Sequence, residues 1–178
     1  MVAYVKAGAN ETTVGYYAGA TKFTDVKANH SWAAGSINYC VSLGIIAGRS
    51  ATTYDPDGNV TGAELAKMML VALGYSASTD DATTTLTGGN WQLNAIRLAT
   101  EAGLFAGLDS NFAATRAITR QEAAQIMLNA LNSNIVDYGY EFKPTGGREI
   151  EYITTAGAVV VRNKYLYQAW KLGHDTFD

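Results

Sequence analysis

The chain aligns with itself. At an offset of 59 residues Trp32 pairs with Trp91, Ile37 with Ile96, Gly44 with Gly103, Ala47 with Ala106 and Gly48 with Gly107. One residue is then lost. At an offset of 58, Thr61 pairs with Thr119, Glu64 with Glu122, Ala66 with Ala124, Met69 with Met127, Leu70 with Leu128, Ala72 with Ala130 and Leu73 with Leu131. A period of this length marks a repeat array, in which each unit is one small supersecondary element. Such an element cannot bury its apolar face alone, so the units must pack on each other or on a further copy.

Each unit reads as two helices joined by a polar loop. Trp32–Leu43 places Ala33, Ile37, Cys40 and Val41 at helical spacing, and Trp91–Ala102 does so with Leu93, Ile96 and Ala99. Gly44 and Gly103 supply the positive φ that closes a helix. The second helices, Gly62–Leu73 and Arg120–Leu131, open on a capping box. Thr61 and Thr119 cap, and Glu64 and Glu122, three residues on, reach back to the cap N–H. The apolar positions that follow are Leu65, Met68, Met69 and Leu73, then Ala123, Ile126, Met127 and Leu131.

Composition narrows the function. Charged residues make up 16% of the 178, below the usual quarter, and the net charge is -3. A chain without a basic face is a poor partner for nucleic acid. No apolar run approaches the roughly 18 residues of a membrane span, so membrane insertion is not expected. The single cysteine excludes an internal disulfide, and Cys40, His30 and His174 make no zinc constellation. Cys40 reads as an inert core residue and His30 as a solvated loop residue. Asp55-Pro56-Asp57-Gly58-Asn59 faintly resembles a calcium loop, but the twelfth position is Ala66 where that pattern needs Glu. A Pro/Gly turn is the simpler reading. No metal or other cofactor is expected. No Ser/His/Asp or Cys/His pairing stands out, and the recurrent acids occupy capping positions, so no catalytic residue is assigned and the chain is not expected to be an enzyme.

The ends read differently. Met1–Ala7 is similar to the end of a second helix, which makes 1–21 the remnant of a preceding repeat plus a linker. The repeats are 22–75 and 89–132, with a Ser/Thr/Asp/Gly linker at 76–88. The extension 133–178 contains two β-prone stretches, Glu149–Ile153 and Ala158–Arg162, with Thr-Thr-Ala-Gly between them. They suggest a hairpin.

The ordered set of marks resembles the S-layer homology domain family. The first unit carries Phe23-Thr24-Asp25-Val26, Trp32, Ile37, Gly44-Ile45, Gly48, Tyr54-Asp55-Pro56 and Val60-Thr61-x-x-Glu64. The second carries Trp91, Gly103-Leu104, Gly107, Phe112 and Ile118-Thr119-Arg120-Gln121-Glu122. The resemblance implies a mainly α fold, tandem helix–loop–helix repeats in a pseudo-threefold helical bundle. It also implies a cell-wall anchor for an exported surface protein, located at the cell surface and bound to secondary cell-wall polysaccharide or another peptidoglycan-linked polymer. The ligand it implies is an acidic, pyruvylated sugar, held in grooves between repeats, with neighbouring repeats of the same family as further partners. By position, the implied ligand contacts are Asp25, Trp32, Trp91 and Arg120. The first unit departs from the pattern with Gly62 where the family has Arg, and the second has Gly88-Gly89-Asn90 before Trp91 and no FxDV box.

Each candidate has a second reading. Asp25 can brace the loop before the first helix, and the two tryptophans can be core anchors. Arg120 stands at the first helical position, where a cation opposes the helix dipole by roughly 0.3–1 kcal/mol. That placement suits a bidentate grip on a carboxylate, or else a surface Arg paired with Glu122 or Asp109. Gly62→Arg is expected to be near neutral for stability, since glycine is a poor helix former. Beside the anchoring function stands the alternative of a structural, self-associating segment of a surface protein without sugar binding.

Overall fold

The structure, a computed structural model, describes residues 10–78, 82–144 and 150–164. Among them are five α-helices: α1 Glu11–Gly15, α2 Ala34–Ser42, α3 Gly62–Ala72, α4 Trp91–Glu101 and α5 Arg120–Asn132. A 3-10 helix, Ala28–Ala33, precedes α2, and two strands follow α5, β1 Asn134–Pro144 and β2 Ile150–Lys164. The repeat region is thus mostly helical. The helix read at Met1–Ala7 lies outside the described residues.

The two units close their first helices alike. Gly44 (φ 70°) and Gly103 (φ 72°) turn the chain. Gly44 N–H donates to Val41 O and Ile45 N–H to Cys40 O, both at 3.0 Å; Gly103 N–H donates to Thr100 O at 3.0 Å and Leu104 N–H to Ala99 O at 2.8 Å. This double bond back over the last turn satisfies carbonyls that the helix end would orphan. It also drives Ile45 and Leu104 inward, where both are buried. Both capping boxes form with the same geometry. In each, the Glu N–H donates to the Thr Oγ1 at 3.2 Å and the Glu carboxylate accepts the Thr N–H at 2.8 Å.

The first helices start differently. Trp32 and Ala33 belong to the 3-10 turn, so the expected helix Trp32–Leu43 begins two residues late, whereas α4 starts at Trp91 as read. Local bonds hold the tighter turn: Ser31 Oγ donates to Ala28 O at 2.8 Å and His30 N–H to Lys27 O at 2.8 Å. On α4 the buried face is Asn94, Ala95, Leu98 and Ala99, and Leu93 is exposed. The expected stripe through Leu93 is rotated because Asn94 faces inward, donating from Nδ2 to the carbonyls of Ala82 and Thr85, each at 2.8 Å. Those two linker carbonyls would otherwise lack partners in a half-buried site.

The core lies between the units. α3 packs against α4 and α5, and Leu65, Met69, Leu70 and Leu73 meet Leu86, Leu98, Leu104 and Ile126. A smaller cluster of Val14, Tyr39, Cys40, Ile45 and Ala72 lies under α1 and α2, with Met68 and Val71 touching both. Cys40 is a buried core residue, and burial pushes its thiol pKa up.

The loops before α3 and α5 pair with each other. Thr61 and Ala117 form an antiparallel bridge. Ile118 N–H donates to Val60 O at 3.0 Å, Gly62 N–H to Arg116 O at 3.3 Å and Ala63 N–H to Ala114 O at 2.7 Å. Two of the four donors left free at the start of α3 are therefore satisfied by the second unit. The approach is close enough that a Cβ on Gly62 would lie 2.8 Å from both Ala114 Cα and Phe112 Cζ. Gly62 is a packing requirement, and the expectation that Gly62→Arg is near neutral does not hold.

The C-terminal strands pair antiparallel, from Asn134 opposite Lys164 to Pro144 opposite Ile150. Ile150–Ile153 and Ala158–Arg162 therefore share one strand instead of facing each other. The Thr-Thr-Ala-Gly stretch falls at the register shift where Tyr138 faces Val159 and Tyr140 faces Thr154. The overlooked signal is the alternation of Val136, Tyr138, Tyr140 and Phe142 in β1. At the base of β1, Val136 is buried and its N–H donates to Leu73 O at 2.8 Å.

Candidate functional site

A groove of about 380 Å³ opens where the two units meet. Its floor and walls come from the turn Ile45–Arg49, the loop residues Tyr54, Asp55, Pro56 and Gly58, the α3 residues Glu64, Lys67 and Met68, and Trp91 at the start of α4. The sequence brings them together because Gly48 (φ 88°) lets the chain double back tightly. A Cβ there would run into the Phe23 ring and lie 2.8 Å from Thr53 O.

Asp25 builds the rim and does not line the groove. Its carboxylate accepts Tyr54 N–H at 2.9 Å and Asp55 N–H at 2.6 Å, and these two bonds hold its pKa below the usual carboxylate range. They fix the loop in which Asp55 takes a left-handed conformation, φ 65°. His30 supports the same loop. Its side chain is only 17% exposed and its Nε2 lies 3.0 Å from Asp57 Oδ1, so it is a packed strut and not the solvated residue expected.

The two tryptophans part company. Trp91 is half-buried in the groove, with Lys67 Nζ 5.2 Å from its ring centroid. Trp32 is 84% exposed on the 3-10 turn and anchors no core. Arg120 is exposed, lies outside the groove and makes no hydrogen bond or ion pair with a described residue. The partner expected for it, Glu122, is taken by Arg116: Nη1 donates to Oε2 at 3.0 Å and Nη2 to Oε1 at 2.5 Å.

Sequence reading missed two arginines that do parallel work. Arg49 ties the first capping box, pairing with Glu64 and with Asp55 at 3.6 Å, and donating to Asn59 O at 3.1 Å. Arg116 ties the second. The alignment could not match them, because Arg49 falls opposite Leu108 and Arg116 opposite Gly58. The shared signal is the Glu of each box, a carboxylate with one oxygen to spare after capping.

The S-layer homology domain model matches residues 22–66 and 87–124, the two structural units. An endo-1,4-beta-xylanase A of Thermoanaerobacterium saccharolyticum is 35% identical over 108 residues, covering 58% of this chain and 9% of that protein. An exoglucanase XynX of Acetivibrio thermocellus is 34% identical over 113 residues, 61% of this chain and 10% of that protein. The S-layer protein sap of Bacillus anthracis is 30% identical over 109 residues, 61% and 13%. The chain thus spans about a tenth of the length of these relatives. No solved structure matches the chain significantly. S-layer homology segments are non-catalytic cell-surface anchoring modules, and the enzyme-named relatives share only that segment with this chain. By their match to that model, their paired capping boxes and their common helix closures, residues 22–66 and 87–124 are two S-layer homology units.

Proposed function

We propose that this chain anchors an exported protein at the cell surface by binding secondary cell-wall polysaccharide, an acidic polymer of the pyruvylated type, without catalysis. The observation that carries this reading is the groove at the unit junction, where Trp91 and Tyr54 offer aromatic faces beside charged side chains. Aromatic faces with a few polar groups suit a sugar ring, which has apolar C–H faces and a hydroxyl edge. Asp25 serves by holding the rim, through Tyr54 and Asp55. Trp32 and Arg120 are exposed and stand outside the groove.

The test is a pull-down of the full chain on purified sacculi, before and after extraction of the wall polymer. Retention on intact sacculi and loss on extracted ones is expected. Retention on neither, together with self-association in sedimentation, would favour an assembly segment. The exposed Trp32 and Tyr16 would suit that role.

A further inference from the structure

The hairpin has two outer edges, and they are not equivalent. β1 begins against the repeats. Val136 is buried, its N–H donates to Leu73 O at 2.8 Å, and its carbonyl fills the place a Gly74 Cβ would take. The end of α3 therefore covers the base of that edge. Further along, β1 carries Asp137, Glu141 and Lys143 and ends on Pro144, which has no N–H. Charges and proline are what keep an edge strand from pairing with another chain. From Ile153 to Val161, β2 has neither. Among the described residues β2 pairs with β1 alone. A two-stranded hairpin is marginal by itself in water and gains from a further strand.

The register says what fits the open edge. Glu151 stands opposite Lys143, and Arg162 opposite Ile135. Lys143 and Ile135 are an even number of residues apart, so they share a face of β1. Glu151 and Arg162 are an odd number apart and would lie on opposite faces of a regular strand. The register shift cancels this. Tyr140 faces Thr154 and Tyr138 faces Val159, so positions 151 and 162 come to one face of the sheet. A two-fold axis perpendicular to the sheet reverses strand direction and keeps the face. It can therefore set Glu151 of one copy opposite Arg162 of a second, and by symmetry does so twice. In that same register Ile153 meets Val160 and Thr154 meets Val159, pairs of the β-branched kind that stabilise sheets. We propose that the outer edge of β2 docks β2 of a second copy of this chain, antiparallel, in the register set by the two Glu151–Arg162 crossings. The occupant is a second copy because the charge pattern of this strand is complementary to itself. β2 shares no residue with the groove, so pairing and wall binding are separate properties.

The experiment is sedimentation velocity and native mass spectrometry of the full chain over a concentration series, with circular dichroism to follow the fold. The proteins are the parent, Arg162→Glu, Glu151→Arg, an equal mixture of those two, and Glu141→Arg as a control on the other strand. The parent should dimerise reversibly. Each β2 reversal alone puts like charges opposite each other at both crossings and should weaken the dimer roughly tenfold or more. Mixed, the two variants should form a heterodimer at close to parental strength, because both crossings are again of opposite sign. Glu141→Arg should leave association unchanged. Arg162→Gln, which removes the charge without reversing it, should weaken the dimer less, and it keeps the test alive if a reversal unfolds the hairpin. A parent monomeric at every concentration overturns the proposal. So does a folded Arg162→Glu or Arg162→Gln that dimerises as the parent does, a mixture that associates no better than its components, or a loss confined to Glu141→Arg.

Discussion

Gly62 and Ala114 touch backbone to backbone: the place of the missing Gly62 Cβ lies 2.8 Å from the Ala114 Cα. The neighbour is main chain, hydrogen-bonded to Ala63, and it cannot swing aside as a side chain would. Gly62→Ala should cost about 1–3 kcal/mol by overpacking, and Gly62→Arg at least as much. The gain in helix propensity, about 1 kcal/mol, does not reverse the sign. Denaturant melts check this; a Gly62→Arg protein as stable as the parent would show that the junction opens easily.

Acid should loosen the second unit through Glu122. Its carboxyl is lowered to about 2, first by the Arg116 hydrogen bonds and then by the Thr119 N–H. A depressed carboxyl contributes stability above its ordinary value and loses it as pH falls toward the folded value. Arg116→Ala removes the larger cause, so Glu122 then protonates at higher pH. The acid midpoint of helix loss, followed by circular dichroism, should move up in Arg116→Ala. An unmoved midpoint would show that Arg116 does not control this carboxyl.

Asn94→Ala should cost about 1–3 kcal/mol, because the Ala82 and Thr85 carbonyls lose their donor. Proteolysis of the linker should accelerate in parallel, since those two bonds fasten it to α4. Unchanged melts and cleavage rates would mean that water replaces the amide.

Arg120→Ala should leave stability within about 0.5 kcal/mol, as for a surface residue with nothing to lose. If Arg120 contacts an acidic polymer, affinity should fall by about 1.5–3 kcal/mol while the melt stays put. Equal affinity at equal stability would reduce Arg120 to solvent-facing charge.

What could be read from the sequence was local. Thr61 and Glu64 make their box within one turn, and Gly44 closes α2 through its own φ, so the residues alone determine both. What could not be read depended on distant chain. Trp32 and Trp91 occupy one alignment column, yet Trp91 has α3 and Lys67 beneath it and Trp32 has solvent. Gly62 looked like a weak helix start because its real neighbour, Ala114, is some fifty residues away. Asn94 outcompeted Leu93 for the interior through carbonyls in a linker that carries no pattern. Lys67 showed no motif at all; only the fold sets its ammonium over the Trp91 ring.

The bridge between the loops gives the protein an internal clock. The amide hydrogens of Gly62 and Ala63 belong to the first unit but are shielded by carbonyls of the second. Their exchange with deuterium reports openings of the second unit's loop, however intact α3 remains. Two amides thus read out, in minutes or hours, how often one repeat lets go of the other.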